Sequence, residues 1–484
     1  MKLCSDLSSR ALICALCLSL VACGGGGGST PTAGGPTPSP TPTASNQCSL
    51  RERQLWAEAQ IRENYLFPED LPASLDPAPF STVQAYIDAL TATARAKSRD
   101  KGFTYITSIA EENAFFSSGQ TAAFGIRLQY DSAARRTFII DAFETGPAFA
   151  AGIDRGDEIL AIGTTPTNLV PVTTLFSGGG SAAVSDALGP TTAGVTRTLE
   201  LRNRGTGDVR TVTITRAEFN IPALSPRFGS LVFDEGANGK FGYINLRSFI
   251  SSADAPLREA FARFRAEGIS QVIIDVRYNS GGLVRTSELM GDLLGGNRLA
   301  SDVYSFTTFR PSKSASNTTR LFRSAPESVS PTKIAFITTE SSASASESVP
   351  NSMLPYLREN TLLVGGNTAG KPVGQIGIDR AACDDRLRVV AFALENANRQ
   401  GDYFNGLAPL FPGRGGRTCA AADQFSQPFG RTETSISTAI SAMTGGACSA
   451  IASAGADARE QSLGRLPLLA STPSAAQRDM PGLF

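Results

Sequence analysis

Histidine is absent from all 484 residues, and lysine is scarce. Of the 44 basic residues only Lys2, Lys97, Lys101, Lys240, Lys313, Lys333 and Lys371 are Lys. A Ser-His-Asp hydrolase is therefore excluded, and a hydroxyl nucleophile here would need Lys, Asp, Glu or an N-terminal amine as its base. Arg cannot serve, because its pKa lies above about 12. Charge of one sign is also missing: 44 basic residues balance 44 acidic ones, the pI is about 6.5, and no basic run occurs. Nothing in that balance fits a nucleic-acid partner. Long hydrophobic runs are absent too, since the apolar stretch from Ala11 to Ala22, about a dozen residues, is too short to span a bilayer. No metal or other cofactor is expected, because zinc would need His or a closely spaced Cys pair, and His is absent while Cys48, Cys383, Cys419 and Cys448 include no close pair.

What is present at the start reads as an address. Lys2 and Arg10 flank the apolar stretch, which ends in Leu20-Val21-Ala22-Cys23. This resembles a bacterial lipoprotein signal over residues 1–22, with Cys23 as the lipidated first residue of the mature chain. A Gly run and Thr-Pro and Ser-Pro repeats follow, so residues 23–47 suit a flexible, then extended, tether. The implied location is the bacterial cell envelope, lipid-anchored and facing the periplasm, with the outer membrane as the expected membrane. In that oxidising compartment Cys48, Cys383, Cys419 and Cys448 can form up to two disulfides, with three pairings open.

A length of 484 residues with 41% hydrophobic content accommodates two to four domains. Residues 48–118 read as a helical N-terminal cap: Leu55, Trp56, Ala59, Ile61 and Tyr65, then Val83, Tyr86, Ile87 and Leu90, recur at helical spacing, predicting helix from Leu50 to about Lys97. Over residues 119–218 the pattern changes to short strands, at Thr137–Phe143 and Glu158–Ile162, with a hairpin of Thr198–Arg202 and Val209–Thr215 around Gly205-Thr-Gly-Asp208. Residues 219–484 alternate apolar strands with helices, as an α/β layered core requires. The strands are Gly242–Leu246, Val272–Val276, Lys333–Thr338 and Thr361–Gly365. A helix over Ala255–Ala266 is expected to be capped by Asp254 and ended by Gly268.

Three strand ends carry the chemistry. Val272-Ile-Ile-Asp-Val276 runs into Arg277-Tyr-Asn-Ser-Gly-Gly282, whose paired glycines let the backbone aim amides at a ligand. Ile334–Thr338 runs into Ser342-Ala-Ser-Ala-Ser-Glu347 and a helix, at whose positive end the Ala345 amide is free to donate. Thr361–Gly365 leads to Gly370-Lys371, where desolvation could lower a lysine pKa by up to about 3 to 5 units. Pro350 and Pro355 are expected to interrupt the helix after Ser344. Ser98-Arg-Asp-Lys101 matches the Ser-x-x-Lys of penicillin-interacting enzymes, but without Lys-Thr-Gly or Ser-Asp-Asn the match is treated as chance.

These three motifs, with Asp100-Lys-Gly-Phe-Thr-Tyr-Ile-Thr107 and Gly370-Lys371-Pro-Val-Gly-Gln375, closely resemble the C-terminal processing (tail-specific) serine peptidases. Ala123-Phe-Gly-Ile126 followed by Gly146-Pro-Ala-Phe-Ala-Ala-Gly-Ile-Asp-Arg-Gly-Asp157 resembles a PDZ domain. The first resemblance implies a multidomain α/β protein with a helical cap, a PDZ-like β domain and a crotonase- or Clp-like peptidase core. It implies Ser344 as nucleophile, Lys371 as general base, Gln375 as the group that orients it, and an oxyanion hole from Ala345 with Gly281 or Gly282. The second implies that Phe124, Gly125 and Ile126 bind a peptide C-terminus through backbone amides, with Ala182–Leu188 as the other wall of the groove. The expected activity is hydrolysis of peptide bonds of envelope proteins by a Ser-Lys mechanism. The competing expectation is an inactive PDZ lipoprotein acting as scaffold or adaptor, and a third is hydrolysis of a non-protein substrate on the same core. The substrate and the oligomeric state stay open.

Overall fold

The computed structural model describes residues 47–452 and 466–484, all within the compact unit Ser45–Phe484. The expected signal, Cys23 and the tether up to residue 46 lie outside the described residues. Among those described, no helix is long and apolar enough to cross a membrane.

The α/β expectation for the second half is met by a six-stranded sheet. Its order is Ser230–Asp234, Lys240–Asn245, Gln271–Asp275, Lys333–Thr338, Thr361–Gly365 and Arg417–Ala420, with the first strand antiparallel and the rest parallel. A parallel sheet must be covered on both faces, which is why these strands are apolar along their whole length. Ile244, Ile274, Phe336 and Leu363 face the helices Asp254–Ala266, Val284–Leu294 and Ala345–Leu357. Tyr243, Ile273, Ala335 and Val364 face the opposite way, against Ile436, Ala439 and Ile440 of Thr434–Met443.

The N-terminal helices pack on a second, antiparallel sheet. Its path runs Tyr105–Ser108, Asp385–Glu395, Val303–Phe309 and Thr318–Leu321, and Val373–Arg380 also pairs with Asp385–Glu395. Ile61, Tyr65, Tyr86 and Leu90 bury against Val373, Leu387 and Val389. The disulfide pairs are Cys48–Cys383, which ties the start of the first helix to this sheet, and Cys419–Cys448. The helical stretch expected from Leu50 to about Lys97 is divided into Leu50–Asn64, Val83–Leu90 and Ala92–Ala96. Pro68, Pro72, Pro77 and Pro79 occupy the break, where missing amide protons and ring clashes forbid a helix.

A third sheet has seven strands. Leu466–Pro467, Ile126–Asp131, Arg136–Ala142, Glu158–Gly163, Thr196–Arg202 and Val209–Thr215 lie side by side in that order, and Val170–Pro171 pairs with Glu158–Gly163. The predicted hairpin closes as expected, with Arg202 opposite Val209. The helix expected at Ala182–Leu188 begins earlier, at Val172, and bends where Gly179 and Gly180 leave helical geometry.

Two further expectations need correction. Asp254 does not cap its helix; it is the first helical residue, and its carboxylate accepts from Thr286 Oγ1 at 3.2 Å. Pro350 and Pro355 do not interrupt the helix Ala345–Leu357. The amide bond that Pro355 cannot make to the Asn351 carbonyl is replaced by Asn396 Nδ2, which donates to that oxygen at 3.1 Å. Val349, Met353 and Leu354 meanwhile anchor the helix in the main core.

Candidate active site

The Gln271–Asp275, Lys333–Thr338 and Thr361–Gly365 strands are consecutive and parallel, so their C-terminal ends emerge together. Beyond the second of these strands the backbone turns sharply into a helix. Ser344 stands in that turn with φ +55° and ψ −113°, a conformation costly for a residue with a Cβ and concentrated at functional sites.

The neighbouring serines have different fates. Ser342 Oγ donates to Val276 O at 2.7 Å, and Ser346 Oγ donates to Asn279 O at 2.7 Å; both residues are buried. They pin the turn to the end of the adjacent strand. Ser344 is half-buried; its side-chain oxygen caps the helix start, accepting from the backbone amide of Glu347, and its hydroxyl donates to no acceptor among the described residues.

Gly281 packs directly against this turn. With φ +113°, it brings its backbone so near that an added Cβ would lie 2.8 Å from Ser344 Cβ and 3.0 Å from Ala345 N. The Gly281 amide is already engaged, donating to Asn279 Oδ1 at 2.8 Å. Among the described residues, the amides of Gly282 and Ala345 donate to no acceptor.

Glu347 joins this turn to the third strand end. Its carboxylate, fully buried, accepts from Gly370 N at 2.8 Å through Oε1, and from Lys371 N at 2.8 Å and Ser344 N at 3.0 Å through Oε2. Burial pushes the Glu347 pKa up, while Thr368 and the three amides pull it back. Neither Glu347 nor Asn279 was singled out from sequence, although Glu347 stands three residues after Ser344, the spacing at which a carboxylate reaches back to a helix start.

Lys371 Nζ donates to Gln375 Oε1 at 2.8 Å and lies 4.7 Å from the centre of the Phe103 ring. Gln375 Nε2 in turn donates to Phe103 O. The Phe103 segment is itself held by Asp100, whose Oδ1 accepts from Phe103 N at 2.6 Å. Lys101 Nζ bonds Ala369 O and Phe404 O at 2.8 and 2.7 Å, closing the segment over the Gly370-Lys371 loop. Burial lowers the Lys371 pKa; the charges of Asp479, Asp100 and Glu347 push it back up, and Arg388 pushes it down. No hydrogen bond joins Lys371 Nζ to Ser344 among the described residues.

A cleft of about 1140 Å³ borders this cluster and is lined by Ser280, Ser341, Ala343 and Lys371, together with Asp479 and Leu483 from the end of the chain. Phe124, Gly125 and Ile126 are elsewhere, at the start of the edge-facing Ile126–Asp131 strand of the seven-stranded sheet. Among the described residues, no group of three or more Cys, Asp or Glu side chains converges as a metal site would.

The profile of peptidase family S41 matches residues 240–406, the span holding Gly281, Ser344, Lys371 and Gln375. A carboxyl-terminal-processing peptidase of Arabidopsis thaliana chloroplasts is 29% identical over 168 residues, 34% of this chain and 30% of that protein. A carboxyl-terminal-processing protease of a Picosynechococcus strain is 29% identical over 168 residues, 35% of this chain and 37% of the relative. The match thus spans about a third of the length of these curated relatives. Among solved structures, a Bacteroides fragilis protein described as an S41 protease shares the fold, with a TM-score of 0.61 at 21% identity, over 81% of this chain and 97% of that one. Residues 240–406 therefore correspond to a peptidase family S41 domain, and over about a third of its length the chain is similar to carboxyl-terminal-processing peptidases.

Proposed function

We propose that the chain is a serine endopeptidase in which Ser344 is the nucleophile, Lys371 the general base and Gln375 the residue that orients it. The observation that carries this reading is the unequal use of the three serines: Ser342 and Ser346 donate their hydroxyls to the neighbouring strand end, while Ser344, in a strained turn, donates its own to no acceptor among the described residues. Neutral Lys371 turns from Gln375 Oε1 toward Ser344, takes the hydroxyl proton as Oγ attacks a peptide carbonyl, and returns that proton to the leaving amine. The acyl-enzyme is then hydrolysed by water, with Lys371 again as base. The oxyanion is received by the amides of Ala345 and Gly282, which donate to no acceptor among the described residues; Gly281, packed against Ser344, shapes the hole without donating, its amide held by Asn279.

The seven-stranded sheet, in the same reading, is a PDZ-like module in which Phe124, Gly125 and Ile126 receive the end of a substrate peptide. Cys23 carries a lipid anchor, and the substrates are unstructured segments of periplasmic proteins. The test is cleavage of an unfolded protein by the purified enzyme, by Ser344→Ala and by Lys371→Ala. Loss of turnover in both variants is expected, and equal turnover in all three overturns the Ser-Lys assignment.

A further inference from the structure

The edge of the Ile126–Asp131 strand, where a peptide would add, is already occupied by this chain. Residues 482–484 lie along it as an antiparallel strand. Gly125 N and Ile126 N donate to Phe484 O at 3.0 and 3.2 Å, Phe484 N donates to Ile126 O at 2.9 Å, and Leu128 N donates to Gly482 O at 2.7 Å. The Phe484 side chain, 1% exposed, is buried in the cluster that holds Phe124, Ile126, Val184 and Leu188. Further along the same edge, Leu466 and Pro467 pair with Tyr130 and Gln129.

The same segment reaches the candidate active site. Between its two strand pairings it forms the helix Ala475–Asp479, which is joined to the N-terminal region by Ala475 N, donating to Glu111 Oε2 at 3.2 Å. Asp479 O accepts from Ser280 Oγ, one residue before Gly281. Asp479 and Leu483 line the cleft that Lys371 also lines. Gln477 Nε2 donates to Leu483 O at 2.7 Å, so the helix and the terminal strand are braced as one piece.

We propose that residues 482–484 are a resident ligand of the groove, and that a peptide ending in a large apolar residue displaces them and draws residues 475–484 off the cleft. The inference rests on reading the groove as a peptide site, and it adds the occupant, the preferred end group and the link to Ser344. Backbone pairing supplies affinity without sequence preference, whereas the buried Phe484 ring sets the chemistry of the last position. The charges agree with the coupling. Asp479 is one of three carboxylates, with Asp100 and Glu347, whose fields favour the protonated form of Lys371, while Arg388 opposes it. Facing Asp479 itself are Glu112, Lys371, Arg388 and Arg478. Withdrawal of Asp479 both opens the cleft and favours the neutral amine that the base requires.

The test uses the full chain carrying Ser344→Ala, so that binding is read without turnover. A fluorescent peptide Met-Pro-Gly-Leu-Phe, the sequence of residues 480–484, is titrated by anisotropy into that protein and into the same protein with Phe484→Asp added. A carboxylate is not tolerated in the apolar pocket, so the resident segment leaves. Affinity is expected to rise about tenfold or more, as follows if the segment fills the groove about nine-tenths of the time. Phe484→Ala gives a smaller rise in the same direction and decides the matter if the Asp variant does not fold by circular dichroism. Equal affinity with and without these substitutions, or no binding in any, overturns the proposal. With Ser344 intact, Phe484→Asp is expected to cleave an unfolded protein faster than the parent; tighter peptide binding with unchanged cleavage overturns the link to the cleft. Tighter binding when neither protein cleaves leaves the occupancy standing and removes the peptidase reading instead.

Discussion

The backbone amide of Lys371 and the backbone amide of Ser344 donate to the same oxygen, Glu347 Oε2, at 2.8 and 3.0 Å. Two strand ends separated by 27 residues of chain (371 − 344) are thereby fixed to one buried carboxylate, and Gly370 N fills its other oxygen at 2.8 Å. The spacing of Ser344 and Lys371 is set at the backbone, while the Lys371 side chain is held separately, through Nζ donating to Gln375 Oε1 at 2.8 Å.

Glu347→Gln tests this arrangement. Three amide donors converge on two oxygens, and a glutamine keeps one acceptor while presenting an N–H to a facing N–H. An unsatisfied buried donor costs about 1–3 kcal/mol, so the urea midpoint should fall accordingly. Misplacing reacting groups by about an ångström costs about a hundredfold in rate, so kcat should fall by up to that amount with KM little changed. A variant that loses stability but keeps its kcat would remove Glu347 from any positioning role.

The pH profile is expected to have its acid limb set by Lys371. Burial lowers its pKa, so the neutral base becomes available below the usual lysine range and activity rises as pH rises through that value. Asp479→Asn removes a charge that pushes the lysine back up. The acid limb should therefore move to lower pH in the variant. Burial, with a contribution from Glu112, pushes Asp479 itself up to about 7, so the effect of the substitution should grow as pH passes that point and the wild-type carboxylate ionises. Superimposable kcat/KM profiles would refute the influence of Asp479 on the base.

Gln375→Glu provides the opposite sign. Gln375 Oε1 accepts from Lys371 Nζ at 2.8 Å, and a carboxylate in its place stabilises the ammonium. An opposite charge at that range shifts a pKa by about 1 to 3 units, so the acid limb should move up by at least about one unit. Gln375→Ala should lower kcat without that upward movement. If Gln375→Glu leaves the limb where it is, Gln375 does not face the functional base.

The strand ends were legible because each motif is contiguous: an apolar strand, then glycines or serines, then a helix or turn. Ser344 cannot be separated from its neighbours on composition, since Ser342, Ser344 and Ser346 differ only in what they bond. That difference depends on Val276 and Asn279, more than sixty residues upstream, and no local pattern encodes it. Residues 466–484 carry no pattern that separates them from the rest of residues 219–484. Their partners Gly125, Ile126 and Ser280 lie about 200 or more positions away, beyond any periodicity argument. The helix through Pro350 and Pro355 failed the local rule for the same reason, since the compensating donor is Asn396. The break at Pro68–Pro79 is local, because the prolines themselves forbid helix there whatever the apolar spacing around them.

Arg277 offers a test of how the Gly281-Gly282 turn is supported. Its guanidinium, 1% exposed, bonds Asp275 through Nη2 at 2.8 Å and Glu433 at 2.8 and 2.9 Å, and also reaches Asp423 at 3.2 Å. Removing one partner from a buried ionic cluster costs about 3–5 kcal/mol, because the others stay buried and charged. Arg277→Met should lose stability on that scale at neutral pH. The pH dependence carries the sharper prediction. Burial pushes Glu433 up, but hydrogen bonds and charge from Arg277 outweigh it and hold its pKa below the usual carboxylate range. A depressed pKa gives stability that is present above the unfolded value, about 4.3, and lost as pH falls through the folded one. Without Arg277 the burial contribution dominates, the folded pKa moves above the unfolded value, and stability is instead lost as pH rises past about 4. Between mildly acidic and neutral pH the Glu433 contribution should therefore stay level in the parent, and the urea midpoint of Arg277→Met should fall relative to it as pH rises. Parallel slopes would mean that Arg277 does not control the ionisation of Glu433.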